Sequence, residues 1–134
     1  MELIQEEDDC TVTGSYLLLY RAVYNLVENA IKYNHSGGKV TVKISQKKDL
    51  PAAHSKPADC ALVEVTDTGI GISPEFQEKI FDPFFRVDKS RSRAMGGAGL
   101  GLALVNEIAR QHGGQVKVLA SSEQGSTIAL VLPI

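Results

Sequence analysis

Asn25, Glu28, Asn29 and Lys32 stand at i, i+3, i+4 and i+7. On a helix this spacing lays two amides, a carboxylate and an ammonium along one stripe. Such a stripe is ordinarily a solvated face. Asparagine, however, is a poor helix former and gains little from exposure, so two of them one turn apart need another reason. An amide oxygen is a suitable ligand for Mg²⁺, and a lysine is a point charge for phosphate. The 12 glycines supply a second signal, clustering at Gly69/Gly71 and at Gly96, Gly97, Gly99 and Gly101. The second cluster opens into a helical pattern. A glycine-rich loop there presents free N–H groups and a positive dipole end, which suits phosphate, although alone it reads equally as a flexible turn. It is neither a P-loop nor a dinucleotide fingerprint, since neither spacing occurs. Asp67 is the third signal. It ends a strand pattern, and the glycines behind it let a ligand approach the backbone. A carboxylate only accepts hydrogen bonds, so it suits an exocyclic amine such as adenine's, though an Asp in a plain turn looks the same.

These residues need elements to hold them. Leu19, Ala22, Val23, Leu26, Val27, Ala30 and Ile31 recur at helical spacing, Ser15 can cap, and Asn34 with Gly37 and Gly38 can terminate. A helix over about 15–34 follows. Val40, Val42 and Ile44 alternate with polar residues, which predicts a half-buried strand over Lys39–Lys47. Asp49–Asp59, with Pro51 and Pro57, reads as an exposed hairpin loop, and Cys60–Thr66 as the next strand. Ser73-Pro74-Glu75 starts a short helix over about 74–80. Phe81 to Ala98 has no periodicity. A second long helix runs from about Gly99 to His112, with Leu100, Leu104, Val105 and Ile108 inward and Gly113-Gly114 closing it. Gln115–Ala120 and Ser126–Leu132 form a terminal hairpin. In residues 1–14, Cys10–Val12 is the better strand candidate. The sum is an α/β two-layer sandwich, a mixed, largely antiparallel sheet with helices on one face.

Composition sets bounds. The chain has 134 residues, one domain's worth, with 14 Lys+Arg against 16 Asp+Glu for a net charge of −2. That balance argues against a duplex-DNA binder and predicts no nucleic-acid partner. The longest apolar runs, Tyr16–Tyr20 and Ile128–Ile134, are far short of the roughly 20 residues a membrane span needs, so no direct membrane contact is expected. Glu2 and the acidic run Glu6–Asp9 do not fit a signal peptide. Cys10 and Cys60 read as two buried thiols of a reduced compartment, and His35, His54 and His112 are too scattered for zinc. Each reads as an ordinary surface or capping histidine: His35 in a turn, His54 in the proline-containing loop, His112 at a helix end beside Gly113.

Taken in order, Asn25-Leu26-Val27-Glu28-Asn29-Ala30-Ile31-Lys32-Tyr33, Asp67-x-Gly69-x-Gly71, Phe81-Asp82-Pro83-Phe84-Phe85, Gly97-x-Gly99-x-Gly101 and Gly125-Ser126-Thr127 resemble the N, G1, F, G2 and G3 boxes of the catalytic domain of two-component sensor histidine kinases. The likeness covers residues from about 10 to 134. It implies the Bergerat fold shared with gyrase-like, Hsp90-like and MutL-like ATPases, with ATP and Mg²⁺ as cofactors. Asn29 would ligate Mg²⁺ with Asn25 assisting, Lys32 would contact phosphate, and Tyr33 would form the nucleotide wall. Asp67 would accept from the adenine amine, with Gly69 and Gly71 giving clearance. Gly97, Gly99, Leu100 and Gly101 would cradle phosphate, Arg86 would belong to an ATP lid at about 86–98, and Thr127 would support the adenine pocket.

The likeness also sets what should lie outside the chain. No His-Glu-Leu-Arg-Thr-Pro-like segment occurs, so the phosphoacceptor histidine would sit on a separate helical hairpin, with a response regulator downstream. The chain would then be the cytoplasmic catalytic domain, 1–134, of a membrane-bound sensor. A stand-alone anti-sigma-factor-type serine kinase of the same fold is the alternative. Phe81, Phe84 and Phe85 could dock on the phosphoacceptor hairpin or pack locally. Ala98 and Ser15 depart from the usual Ser/Thr and Asp. In hydrolytic members of the fold a glutamate stands one turn before the metal-binding asparagine, where this chain has Asn25. An amide cannot take a proton near neutral pH, so slow hydrolysis is predicted.

Overall fold

The computed structural model describes residues 2–7, 12–51, 57–83 and 101–134. Five strands, β1 (Glu2–Glu7), β2 (Lys39–Pro51), β3 (Pro57–Asp67), β4 (Gln115–Ser122) and β5 (Gly125–Pro133), form one sheet in the order β1-β2-β3-β5-β4. The long helices are α1 (Tyr16–Lys32) and α2 (Gly101–Gln111). Three of the four strand pairings are antiparallel. The exception is β1 with β2, which run parallel because α1 makes the crossover between them.

α1 forms where its periodicity places it. The Leu18 N–H donates to Ser15 Oγ at 3.3 Å, and the helix stops at Tyr33, whose N–H donates to the Asn29 carbonyl. Ala22, Leu26 and Ala30 line its buried face. They pack with Val105, Ile108 and Ala109 of α2 onto Val40, Val63, Val65, Val116, Ile128, Leu130 and Leu132 of the sheet. Strand alternation puts Cys60, Leu62, Ala129 and Val131 in a second buried cluster, on the face away from the helices. Burial, and then Asp59 beside it, pushes the Cys60 thiol above its ordinary range, so this cysteine is held as an inert thiol. Cys10 lies outside the described residues.

Several expectations need correcting. The first strand is Glu2–Glu7, and of Cys10–Val12 only Val12 is described; it belongs to no strand and packs against the core. The loop expected at 49–59 is largely strand, with Leu50 opposite Ala58 and Pro51 opposite Pro57. Among the described residues β1 pairs β2 as far as Ile44 and nothing pairs that side of β2 beyond it, which suits a proline at Pro51. The helix expected at 74–80 is two 3₁₀ turns, Pro74–Phe76 and Lys79–Phe81, and the Ser73 side chain makes no capping bond. Between Gly71 and Pro83 there is too little chain to repay an α-helical nucleus, and burial of Phe81 fixes the segment instead. Leu104 and Ile31, expected inward, are 37% and 47% exposed. The expected ATP lid at 86–98, with Phe84 and Phe85, lies outside the described residues.

Candidate functional site

The β3–β5 register sets Asp67 opposite Ser126 at the end of the sheet. Asp67 is 7% exposed, and its carboxylate is held by three donors. The Gly69 N–H and the Ser126 N–H donate to Oδ1 at 2.9 and 3.3 Å, and the Ser126 hydroxyl donates to Oδ2 at 3.0 Å. A carboxylate has about four acceptor positions, so one is left for an incoming N–H. Gly69 is required by close approach: a side chain there would strike the Tyr33 carbonyl, which accepts the Ile70 N–H at 3.3 Å. The turn after β3 is thereby pressed onto the C-terminal end of α1. Gly71 follows against the Ser122 carbonyl of the β4–β5 hairpin.

A second set of bonds fastens the same turn. Asn34 donates from Nδ2 to the Lys39 carbonyl at 2.9 Å, and its Oδ1 accepts from Thr68 Oγ1 at 3.1 Å. The Lys39 N–H donates to Thr68 Oγ1 at 2.8 Å. The helix end, the start of β2 and the end of β3 are thus one hydrogen-bonded unit around Asp67.

α1 carries the amide stripe. Asn25, Asn29, Lys32 and Tyr33 are all half-buried. Lys32 Nζ lies 3.0 Å from Glu28 Oε1, an ion pair about one-third exposed on each side and worth at most about 1 kcal/mol. Among the described residues the side-chain amides of Asn25 and Asn29 make no hydrogen bond. The stripe meets the second glycine cluster at Gly101, where a Cβ would stand 3.7 Å from Asn25 Oδ1. Gly101 is also the first described residue of α2, so Asn25 stands against the N-terminal part of that helix as described. Arg86, Gly97, Gly99 and Leu100 lie outside the described residues.

The donor set fits a magnesium–phosphate group. Mg²⁺ keeps most of its waters and takes one or two protein oxygens beside phosphate oxygens, and two adjacent amides with no other partner can supply these. No cluster of three His, Cys, Asp or Glu side chains that could hold a metal occurs among the described residues.

Thr127 lines the same recess as Asp67 but does not bond its carboxylate. Its Oγ1 is 2.9 Å from Thr66 Oγ1, on the face opposite Ser126, because successive strand residues point oppositely. The hydroxyl at the carboxylate is Ser126's, one residue earlier. The Gly125-Ser126-Thr127 motif contained it, but only the strand register decides between the two hydroxyls. Asn34 and Thr68 were also missed as supports; their bonds join segments far apart in sequence.

Comparison with known proteins shows the family and the fold. The family described as histidine kinase-, DNA gyrase B-, and HSP90-like ATPase matches residues 14–134. The chain is 44% identical over 122 residues to the sensor-like histidine kinase SenX3 of Mycobacterium tuberculosis, covering 91% of this chain and 27% of that protein. It is 40% identical over 121 residues to the sensor histidine kinase RppB of Synechocystis, covering 90% and 24%. Among solved structures, the mycobacterial sensor histidine kinase MprB superposes with a TM-score of 0.79 at 34% identity, covering 98% of this chain and 80% of that one. Full-length ShkA in complex with AMPPNP gives 0.79 at 26% identity, covering 98% and 25%. The chain spans about a quarter of the length of these curated relatives.

Proposed function

We propose that this chain, which belongs to the histidine kinase-, DNA gyrase B- and HSP90-like ATPase family, serves a sensor histidine kinase as its catalytic domain. In this reading it binds ATP with Mg²⁺ and presents the γ-phosphoryl group to a histidine on a phosphoacceptor helical hairpin outside the chain. A response regulator would receive the group next. The domain would work on the cytoplasmic side of a membrane-bound sensor; no helix among the described residues is long and apolar enough to cross a membrane.

The carrying observation is Asp67, a buried carboxylate pinned by three donors with one acceptor position in hand. It supports recognition of an exocyclic amine, hence adenine. Ser126 would brace Asp67 directly, and Thr127, which lines the same recess, would support the adenine pocket. Asn29, with Asn25, would hold Mg²⁺, whose chemistry is to bridge and neutralise phosphate oxygens. Lys32 would meet the phosphates by exchanging its weak pair with Glu28, and Tyr33 would form the nucleotide wall. Gly97, Gly99, Leu100 and Gly101 would offer backbone N–H groups at the start of α2, and Arg86 with the 86–98 segment would close over the triphosphate. The ShkA complex with AMPPNP supports binding of an adenine nucleotide.

The same groups argue for transfer over hydrolysis. Asn25 has no useful basicity, and Glu28, one residue before Asn29, is turned about 100° away from it around the helix. Neither is set to take a proton from water, so attack must come from a nucleophile supplied on a partner. Phosphate release by the purified chain, with Asn25→Glu and Glu28→Gln beside it, tests this. Slow release by all but Asn25→Glu, with phosphotransfer on adding a histidine-bearing hairpin, is the expected result. Fast release abolished by Glu28→Gln would make the protein an ATPase with an unusual base.

A further inference from the structure

His112 follows the last turn of α2, and its ring makes two hydrogen bonds of fixed polarity. Nδ1 lies 2.8 Å from the Ile108 carbonyl, which can only accept. Nε2 lies 3.1 Å from the Ser15 N–H, which can only donate. Both partners demand the same neutral tautomer, with the proton on Nδ1 and a bare lone pair on Nε2, an assignment made from the hydrogen bonds. It is the reverse of the tautomer free histidine favours. Among the described residues no carboxylate lies within ion-pairing distance of the ring.

The Ser15 end of this link is the N-cap of α1. Its own N–H has no intrahelical partner, so the ring satisfies a group that would otherwise turn to water. The seat is made by Gly14, where a side chain would run into the ring. Meanwhile Gly113 and Gly114 turn the chain back over the end of α2, with the Gly114 N–H donating to the Ala109 carbonyl at 2.8 Å.

The two helices are antiparallel, and the link closes one end of the pair. The other end is where Gly101 backs onto Asn25. From Ser15 to Asn25 is ten residues and from Gly101 to His112 eleven, each about 15 Å of helix. Apolar side chains such as Ala22, Leu26, Val105 and Ile108 hold the helices together. Such contacts are non-directional and tolerate small sliding, whereas a ligand site must be held to about 0.5 Å. Two directional bonds from one rigid ring remove the slide.

We propose that His112 is a positioning residue. Locked in the Nδ1–H tautomer, it pins the N-cap of α1 to the C-terminal turn of α2 and so fixes the axial register in which the stripe, at Asn25, stands against Gly101 of α2. The proposal rests on the functional reading above, because it needs that stripe to meet phosphate and metal. Its signature is a split. Losing the ring should impair what binds between the two helices and spare what binds at Asp67, which is fastened separately through Ser126, Gly69 and Tyr33.

The experiment uses the chain as it stands. Long-range ¹H–¹⁵N correlation should show His112 protonated at Nδ1. His112→Leu should weaken ATP–Mg²⁺ binding about tenfold by calorimetry, while adenosine, titrated by NMR, binds as to the parent chain. His112→Gln, whose Oε1 can still accept from Ser15, should return to within about threefold. If His112→Leu does not fold, Gly14→Ala, which crowds the ring without deleting it, should show the same split. Equal losses for ATP and adenosine, or no loss for either, would overturn the proposal and leave His112 a stabilising cap. Failure of the parent chain to bind ATP–Mg²⁺ would instead overturn the functional reading.

Discussion

The two ends of the candidate site are built in opposite ways. At the Asp67 end, the carboxylate is saturated but for one position by Gly69 and Ser126, and the turn around it is tied to α1 and β2 through Tyr33, Asn34, Thr68 and Lys39. At the stripe end, Asn25 and Asn29 have no hydrogen-bond partner among the described residues, and Lys32 holds only a weak neighbour. One end is organised by the fold itself, at a cost met during folding. The other is left to be organised by its ligand. Mutations at the first should therefore be felt in stability and binding together, and mutations at the second in binding alone.

The strongest way to break this contrast is Gly125→Ala. Gly125 has φ of +135°, and a Cβ there would strike the Asp67 carbonyl. The penalty combines backbone strain with a clash against backbone that cannot step aside, about 3 kcal/mol or more. A fall in Tm of roughly 10 °C, with nucleotide binding lost, is expected by thermal melting and titration. A Tm within a degree or two of the parent would mean that the Asp67 end is looser than its hydrogen bonds imply.

A matched pair comes next. Asp67→Asn puts an N–H where the amine needs an acceptor, and losing a charged hydrogen bond of about 1.5–3 kcal/mol lowers ATP affinity roughly 10- to 100-fold. It should also cost stability of about 1 kcal/mol, because Ser126 loses a charged acceptor. Asn29→Ala should weaken ATP binding only when Mg²⁺ is present, with stability changed by less than about 0.5 kcal/mol, as for a side chain that holds nothing else. Calorimetry with and without Mg²⁺, beside chemical denaturation, reads both. Asn29→Ala melting as early as Asp67→Asn would erase the distinction.

The same division explains what could be read in advance. α1 was legible because its signals are local: period, Ser15 cap and terminating glycines lie within one segment. The alternation of β2 and the acidic end of β3 were legible for the same reason. What escaped depends on partners distant in the chain. β1 is an edge strand defined by pairing with β2, and its run Glu2–Glu7 alternates poorly. The prolines at 51 and 57 looked like loop residues because tolerance at a free strand side is a property of the sheet. At the site, the box residues were legible as types and spacings, but the choice between Ser126 and Thr127 was not. It rests on a register 59 residues long in sequence separation, and a one-residue slip exchanges the faces.

That choice yields the finest test. Ser126 gives Asp67 two of its three hydrogen bonds, one from the backbone and one from the hydroxyl. Ser126→Ala keeps the backbone bond and deletes the other, leaving the carboxylate oxygen nearest the free acceptor position unsupported. Losing one bond to a charged group that remains partly solvated by its neighbours should cost about 1 kcal/mol, or about fivefold in ATP affinity. Thr127→Val is nearly isosteric and removes a hydroxyl whose partner is Thr66, itself able to turn elsewhere. It should leave affinity within about twofold and move stability by no more than about 1 kcal/mol. If Thr127→Val weakens ATP the more, the outer-face hydroxyl reaches the nucleotide by a route that the Asp67–Ser126 register does not provide. The adenine end would then be organised by its ligand after all, like the stripe.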